Sequence, residues 1–211
     1  MNKLDFIYKR KSIRKFKDQE VPKEDIMKML DAAIHAPSAH HCQNWYFVVV
    51  QDKNIINEIV SVVKTSHEKI AEMAKNEKDK EHFLKLMRYY LNFKDASTTV
   101  IVYGGPYKTI EEKILRENNV DEEIITELND SMPGIQSIGA AVENFLLAAS
   151  ALGYGTCYMT GPNHAKKEIE KIINLDKDGY SLLAMIALGV PEDNTPAQPP
   201  RKSLDDVVTF I

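Results

Sequence analysis

Cysteine is scarce in this chain. Its 211 residues include two, Cys42 and Cys157, which excludes a disulfide-stapled secreted scaffold and a four-cysteine metal site. Glycine and proline number nine each, too few for a collagen-like or low-complexity chain. No charge of one sign dominates: 27 Lys and Arg against 31 Asp and Glu leave −4. That balance argues against a dedicated nucleic-acid binder. No stretch approaches the roughly 20 apolar residues of a membrane helix. The most apolar region, residues 135–159, is interrupted by Glu143, Asn144 and glycines. The start, Met1 to Asp5, carries charge where a signal peptide needs an apolar run. The expectation is a cytoplasmic protein without a membrane partner. What remains is an ordinary soluble composition, 44% hydrophobic and 27% charged. Its length suits a single domain, residues 1–211, with a sizeable core.

Leu4, Phe6, Ile7 and Tyr8 begin a short apolar helix that runs into basic residues. Val21-Pro22-Lys23-Glu24-Asp25 reads as a helix start, followed by Ile26, Met29, Leu30 and Ala33 at helical spacing. Pro37 stops that helix and opens a polar loop, 38–44. Trp45 to Val50 and Thr98 to Tyr103 read as strands. Residues 54–95 look helical, with Ile55, Ile59, Val62, Val63, Phe83, Leu84 and Met87 as the buried stripe. Tyr107 to Ser131 is polar with two short apolar stripes, a segment suited to covering a site. From Pro133 to Leu152 nearly every helical face is apolar (Ile135, Ile138, Ala141, Val142, Phe145, Leu146, Ala149), which predicts a buried helix and a subunit interface. Gly153 is its expected C-terminal cap. Thr156 to Thr160 and Ser181 to Leu188 are further strands. Pro191, Pro196, Pro199 and Pro200 make a stiff arm before a strand-like tail, Val207 to Ile211. Such a tail suits addition to another subunit's sheet edge. The layout is α+β, with a mixed sheet wrapped by helices.

Three segments stand out chemically. In Arg10-Lys11-Ser12-Ile13-Arg14, an extended backbone puts Arg10, Ser12 and Arg14 on one side and Lys11 and Ile13 on the other. Two guanidiniums flanking a hydroxyl can cradle a phosphate. A solvated basic surface and a nucleic-acid patch are the competing readings. The second segment is Ala36-Pro37-Ser38-Ala39-His40-His41-Cys42-Gln43-Asn44-Trp45. Its His-His-Cys run has no further ligands at zinc-like spacing, so no metal is expected. Cys42 lacks an identifiable base for nucleophilic chemistry. The third segment, residues 152–162, holds Gly153, Gly155 and Gly161. It is not a dinucleotide fingerprint, because it follows a helix and opens a strand, and Tyr158 takes the third glycine's place. Thr160-Gly161-Pro162 is a turn whose backbone N–H groups suit a ligand. Phosphate-loop, zinc-protease and hydrolase motifs are all missing. An enzyme with that profile leaves its chemistry to a cofactor.

Together these segments resemble the nitroreductase family of flavin-dependent oxidoreductases. The resemblance rests on Arg10-Lys11-Ser12-Ile13-Arg14, on Ala36-Pro37-Ser38 with Gln43-Asn44-Trp45, on Leu147 to Gly161, and on Pro199-Pro200-Arg201-Lys202. It implies an α+β fold with a mainly antiparallel sheet and a C-terminal strand exchanged between subunits. It also implies a homodimer with FMN at the subunit interface. Arg10, Lys11, Ser12 and Arg201 would then bind the 5′-phosphate side, and Arg14 the pyrimidine edge. Pro37, Ser38, Ala39, His41 and Gln43 would reach the flavin from the partner subunit. Thr160 and Gly161 would present backbone to flavin N5. Asn44 stands where the family has Pro, His41 where Asn is common, and Ala39 where Ser is frequent.

The implied activity is NADH- or NADPH-dependent reduction of nitroaromatics, quinones or similar small acceptors, by a ping-pong route with no indispensable side-chain acid or base. Reductive dehalogenation, metabolite dehydrogenation and a non-catalytic flavin-binding redox module are the alternatives. Six of the 27 basic residues lie at Lys9, Arg10, Lys11, Arg14, Lys15 and Lys17. The remaining 21 against 31 acids leave −10, so positive charge is concentrated where the phosphate is expected.

Overall fold

The computed structural model describes residues 3–194 and 197–211. Pro196 of the predicted arm lies outside them. In chain order the elements are α1 (Asp5–Lys9), α2 (Lys23–Ile34), β1 (Trp45–Val50), α3 (Lys53–Glu72), α4 (Glu77–Tyr90), β2 (Thr98–Gly104), α5 (Ile110–Glu117), α6 (Glu122–Asn129), α7 (Pro133–Ala151), β3 (Gly155–Met159), α8 (Lys166–Ile173) and β4 (Ser181–Gly189). The four strands form one sheet in the order β1-β2-β4-β3. Every pairing in it is antiparallel, as Val49 opposite Val100 and Cys157 opposite Ala187 show. Among the described residues the one parallel link is a bridge between Ser12 and Thr156, which lays the basic segment along β3.

Side chains alternate across a strand, so the sheet has two apolar faces. One carries Ile101, Met185 and Cys157 and packs against Ile56, Ile59 and Val63 of α3 and Ile169 of α8. The other carries Val100, Val102 and Ile186 and packs against Met29 and Ala33 of α2 and Ile138, Val142 and Phe145 of α7. With both faces covered, β2 is buried along its whole length. Helix α7 ends as its sequence predicts. Gly153 takes φ +88, its N–H donates to Ser150 O and that of Tyr154 to Ala149 O. Those two bonds satisfy carbonyls the helix end would otherwise orphan.

Several expectations differ from the structure. Residues 54–95 are two helices, because Asn76 caps a new one by accepting from Asp79 N–H. Helix α4 contains no buried residue, and Leu84 is exposed, since α4 packs on α3 rather than on the sheet. Ile135 is likewise exposed, although the rest of the α7 apolar set is buried or half-buried. The tail from Val207 to Ile211 is not a strand within the chain. It is exposed throughout, Phe210 at 94%, because no strand of its own chain pairs with it. Among the described residues no helix is long and apolar enough to cross a membrane.

Candidate functional site

The first group of candidate residues gathers on β3. Ile13 N–H donates to Thr156 O at 2.8 Å, and the Ile13 side chain is buried against Gly155. A Cβ at 155 would sit 2.7 Å from Ile13, so glycine there permits the close approach. Burying Ile13 turns Ser12 and Arg14 outward, where both are exposed. Lys11 and Ile13 line one cavity and Arg14 a different one, as the alternation predicts. The Arg14 guanidinium lies 5.9 Å from the Tyr89 ring. Below it, burial pushes the Cys157 thiol up, and the nearby Arg14 charge opposes that rise. Asn92 donates to Tyr89 O at 2.8 Å and reaches Cys157 Sγ at 3.8 Å.

Arg10 is engaged differently from its companions. Its Nε is 3.4 Å from Glu143 Oε1 on α7, so a phosphate there would share the guanidinium with a carboxylate. The proline arm returns to the same place. Gln198 Nε2 donates to Tyr8 O and Arg10 O, which leaves Arg201 three positions beyond that contact. Arg201 itself donates to Pro199 O at 2.9 Å and is exposed.

At the far end of β3, Thr160 is exposed and Gly161 abuts Tyr90, whose ring any side chain at 161 would meet. Asn163 N–H donates to Thr160 O, and its Nδ2 to Leu183 O at 2.6 Å. Behind this turn, His164 and His67 lie 5.5 Å apart with Tyr90 against both rings. His67 Nε2 donates to Phe83 O at 2.7 Å. Its Nδ1, both His164 nitrogens and Asn163 Oδ1 are buried without a partner. Burial lowers the His164 pKa, and the neighbouring His67 lowers it further.

The second group sits on the loop before β1. His40, His41 and Gln43 have φ of 51, 54 and 43, a left-handed conformation that costs non-glycine residues energy. Side chains hold the loop there. Ser137 Oγ accepts from Ala39 N–H at 3.0 Å, Ser38 Oγ accepts from Gln43 N–H at 3.2 Å, and Gln43 Nε2 meets His41 Nε2 at 3.0 Å. Asn44, in the position of the family's Pro, is buried and tied to Gly105 through its amide and its backbone carbonyl. His40 Nδ1 is hydrogen-bonded to Tyr107 OH at 3.2 Å, with the rings stacked at 13°. Pro37, Ser38 and Ala39 line a cavity of about 410 Å³ with the start of α7.

This loop is bonded to α7 and to the end of β2, whereas the first group lies along β3. Ser12 is bridged to β3, Arg10 is paired with Glu143 on α7, and Thr160-Gly161 follows the end of β3. Residue types alone do not mark Tyr89, Tyr90 and Asn92, because their contacts with Arg14, Gly161 and Cys157 link segments far apart in the chain, 65 positions for Asn92. Ser137 is likewise visible only through its hydrogen bonds. No group of three or more His, Cys, Asp or Glu residues arranged for a metal occurs among the described residues.

Residues 7–190 match the family model described as the Nitroreductase family. A BluB-like flavoprotein from Clostridium difficile 630 is 39% identical and superposes with a TM-score of 0.94, covering 100% of this chain and 99% of that one. Iodotyrosine deiodinase of Thermotoga neapolitana is 26% identical, over 98% of this chain and 97% of its own. A nitroreductase with bound FMN from Bacteroides fragilis NCTC 9343 shares the fold at 19% identity, with a TM-score of 0.72 and 100% of both chains covered.

Proposed function

The chain belongs to the nitroreductase family, and from that membership we propose an FMN-dependent oxidoreductase that takes hydride from NADH or NADPH and reduces nitroaromatic, quinone or similar small acceptors. It works as a homodimer of single-domain subunits, residues 1–211. Its two unpaired cysteines suit the reducing cytoplasm. The observation that carries the reading is the Ser12–Thr156 bridge. It sets an outward-facing hydroxyl and guanidinium beside β3, the strand that ends in the Thr160-Gly161 turn.

The residues present fit a flavin mononucleotide. Ser12 and Arg14 are exposed on one side of the segment. Unpartnered polar atoms of Asn163 and His164 lie beside the turn. Ser12, Lys11, Arg10 and Arg201 would hold the phosphate, with Arg10 released in part from Glu143. Thr160 and Gly161 would offer backbone groups near N5, and Asn92 adds a side-chain amide beside Arg14. Pro37, Ser38, Ala39, His41 and Gln43 would reach the cofactor of the partner subunit, which accounts for their separation from the first group within one chain. Bound FMN supplies the redox chemistry, accepting hydride at N5. Arg14 would stabilise negative charge at the pyrimidine edge, an interaction of about 1.5–3 kcal/mol that grows where water is excluded. The α5–α6 hairpin would cover the reacting face, and the exposed tail would pair with the partner subunit's sheet.

Purified protein should be yellow. Arg10→Ala and Arg201→Ala should each lose FMN on dialysis while remaining dimeric. Colourless protein that also fails to bind added FMN would overturn the proposal. A second reading, reductive dehalogenation on the same fold, is favoured by the 26% identity to an iodotyrosine deiodinase over nearly the whole chain. Iodide release from 3-iodotyrosine under reducing conditions distinguishes it.

A further inference from the structure

An open cavity of about 360 Å³ lies beneath the α5–α6 hairpin. None of the residues expected to bind flavin lines it. Its floor is the end of β2, Gly104 and Gly105, with Leu183 and Ile138 beside them. Its apolar wall continues through Met132 and Ile135 at the start of α7. The volume is at the low end for small-molecule sites and suits one ring with a short side chain.

The polar rim is Glu112, Asn129, Asn44 and Tyr107, whose hydroxyl is engaged with His40, and Lys108 adds a positive charge near Glu112. Asn129 Nδ2 donates to Ile125 O and to Glu112 Oε2 at 3.3 Å. Asn44 Nδ2 donates to Gly105 O. Glu112 and Asn129 both line the cavity; Glu112 Oε1 accepts from Arg116 and Oε2 from Asn129, which leaves further lone pairs on the carboxylate and the Asn129 carbonyl oxygen as acceptors. Arg116 binds Glu112 at 2.9 Å and keeps its carboxyl below the usual range. The same guanidinium also serves Glu122, at 2.5 Å, so it cannot neutralise both carboxylates. The surroundings repeat that sign. Residues 107–132 hold eight acids (Glu111, Glu112, Glu117, Asp121, Glu122, Glu123, Glu127, Asp130) against Lys108, Lys113 and Arg116. That is −5, so the rest of the chain carries +1. Such a field draws cations and repels anions.

We propose that this cavity binds a small organic amine, its apolar ring between Met132, Ile135 and Leu183 and its ammonium group on Glu112 and Asn129. The site rests on the flavin reading in lying under the hairpin proposed to cover the reacting face, although none of its lining residues is among the expected flavin contacts.

Calorimetry on the purified protein at pH 7 tests it with three probes of one shape: 2-phenylethylammonium, 2-phenylethanol and 3-phenylpropanoate. The ammonium should bind at least about tenfold tighter than the alcohol, as loss of one charge-assisted hydrogen bond implies, and the carboxylate should not bind. Glu112→Gln should erase the preference for ammonium over alcohol. Ile135→Trp, a change at a half-exposed position, should fill the cavity and abolish binding while thermal stability is kept. Failure of the ammonium to bind would overturn the proposal. So would a preference that survives in Glu112→Gln, or binding that survives in Ile135→Trp. Visible absorbance of the same samples reads flavin content separately.

Discussion

Ser137→Ala should loosen the loop before β1 without disturbing the core. Ser137 is buried on α7, and its hydroxyl donates to Pro133 O at 2.8 Å while accepting from Ala39 N–H at 3.0 Å. The alanine variant keeps the helix, since its backbone bonds are untouched, but leaves the Ala39 N–H without a partner. An unsatisfied, part-buried donor costs about 1–3 kcal/mol. The loop has little margin to absorb that. His40, His41 and Gln43 hold positive φ, at roughly 1–2 kcal/mol each. Ser38, Ser137, the two Asn44–Gly105 bonds and the Gln43–His41 and His40–Tyr107 contacts oppose the strain. The expected result is a fall in Tm of roughly 2–12 °C, at about 2–4 °C per kcal/mol for a chain of this size. Proteolysis should become faster within residues 38–43, and flavin retention weaker. Differential scanning calorimetry and limited proteolysis measure the first two. A Tm within a degree of wild type and an unchanged cleavage pattern would show that the loop does not depend on Ser137.

Gly161→Val would drive a side chain into the Tyr90 ring. Overpacking of that kind costs about 1–3 kcal/mol, and flavin affinity should fall more than in Gly139→Ala, where a Cβ meets nothing within 4 Å; equal affinities would reject the role of the turn. Acid should destabilise the protein through His164. Its folded pKa is depressed by burial and then by His67, so the unfolded chain binds the extra proton. Stability is then lost as pH falls through the unfolded value of about 6.5. His164→Gln should flatten that slope in urea titrations at pH 7 and pH 5, and an unchanged slope would assign the effect elsewhere. Removing residues 207–211 should raise the dimer dissociation constant, read by sedimentation; an unaltered constant would remove the tail from the interface.

Elements whose signal is local are legible in the sequence. Trp45–Val50 coincides with a strand because β-branched and aromatic residues run together there, and Gly153 marks a helix end because its φ excludes most other residues. The alternation of Arg10 to Arg14 is legible because Ile13, the apolar member, dictates which side faces the core. Signals that depend on distant partners are not. Helix α8 is a short amphipathic stripe without a marked start, as no side chain caps it. The tail has strand composition but no strand beside it in its own chain. The left-handed positions 40, 41 and 43 hold no glycine, so nothing in their residue types announces the turn. Asn92 reaches β3, and Tyr90 the turn after it, only because α3 and α4 fold back together. Ser137 matters through a hydrogen bond 98 positions away.

Anaerobic titration of the purified protein with NADH and with NADPH, followed by an acceptor such as a nitroaromatic or a quinone, tests the proposed activity most directly. One pyridine nucleotide should bleach the flavin band stoichiometrically in the absence of acceptor, and the acceptor should then restore it, as a ping-pong cycle requires. A flavin band that neither nucleotide bleaches would contradict an NAD(P)H oxidoreductase and leave a flavin-binding protein with another role.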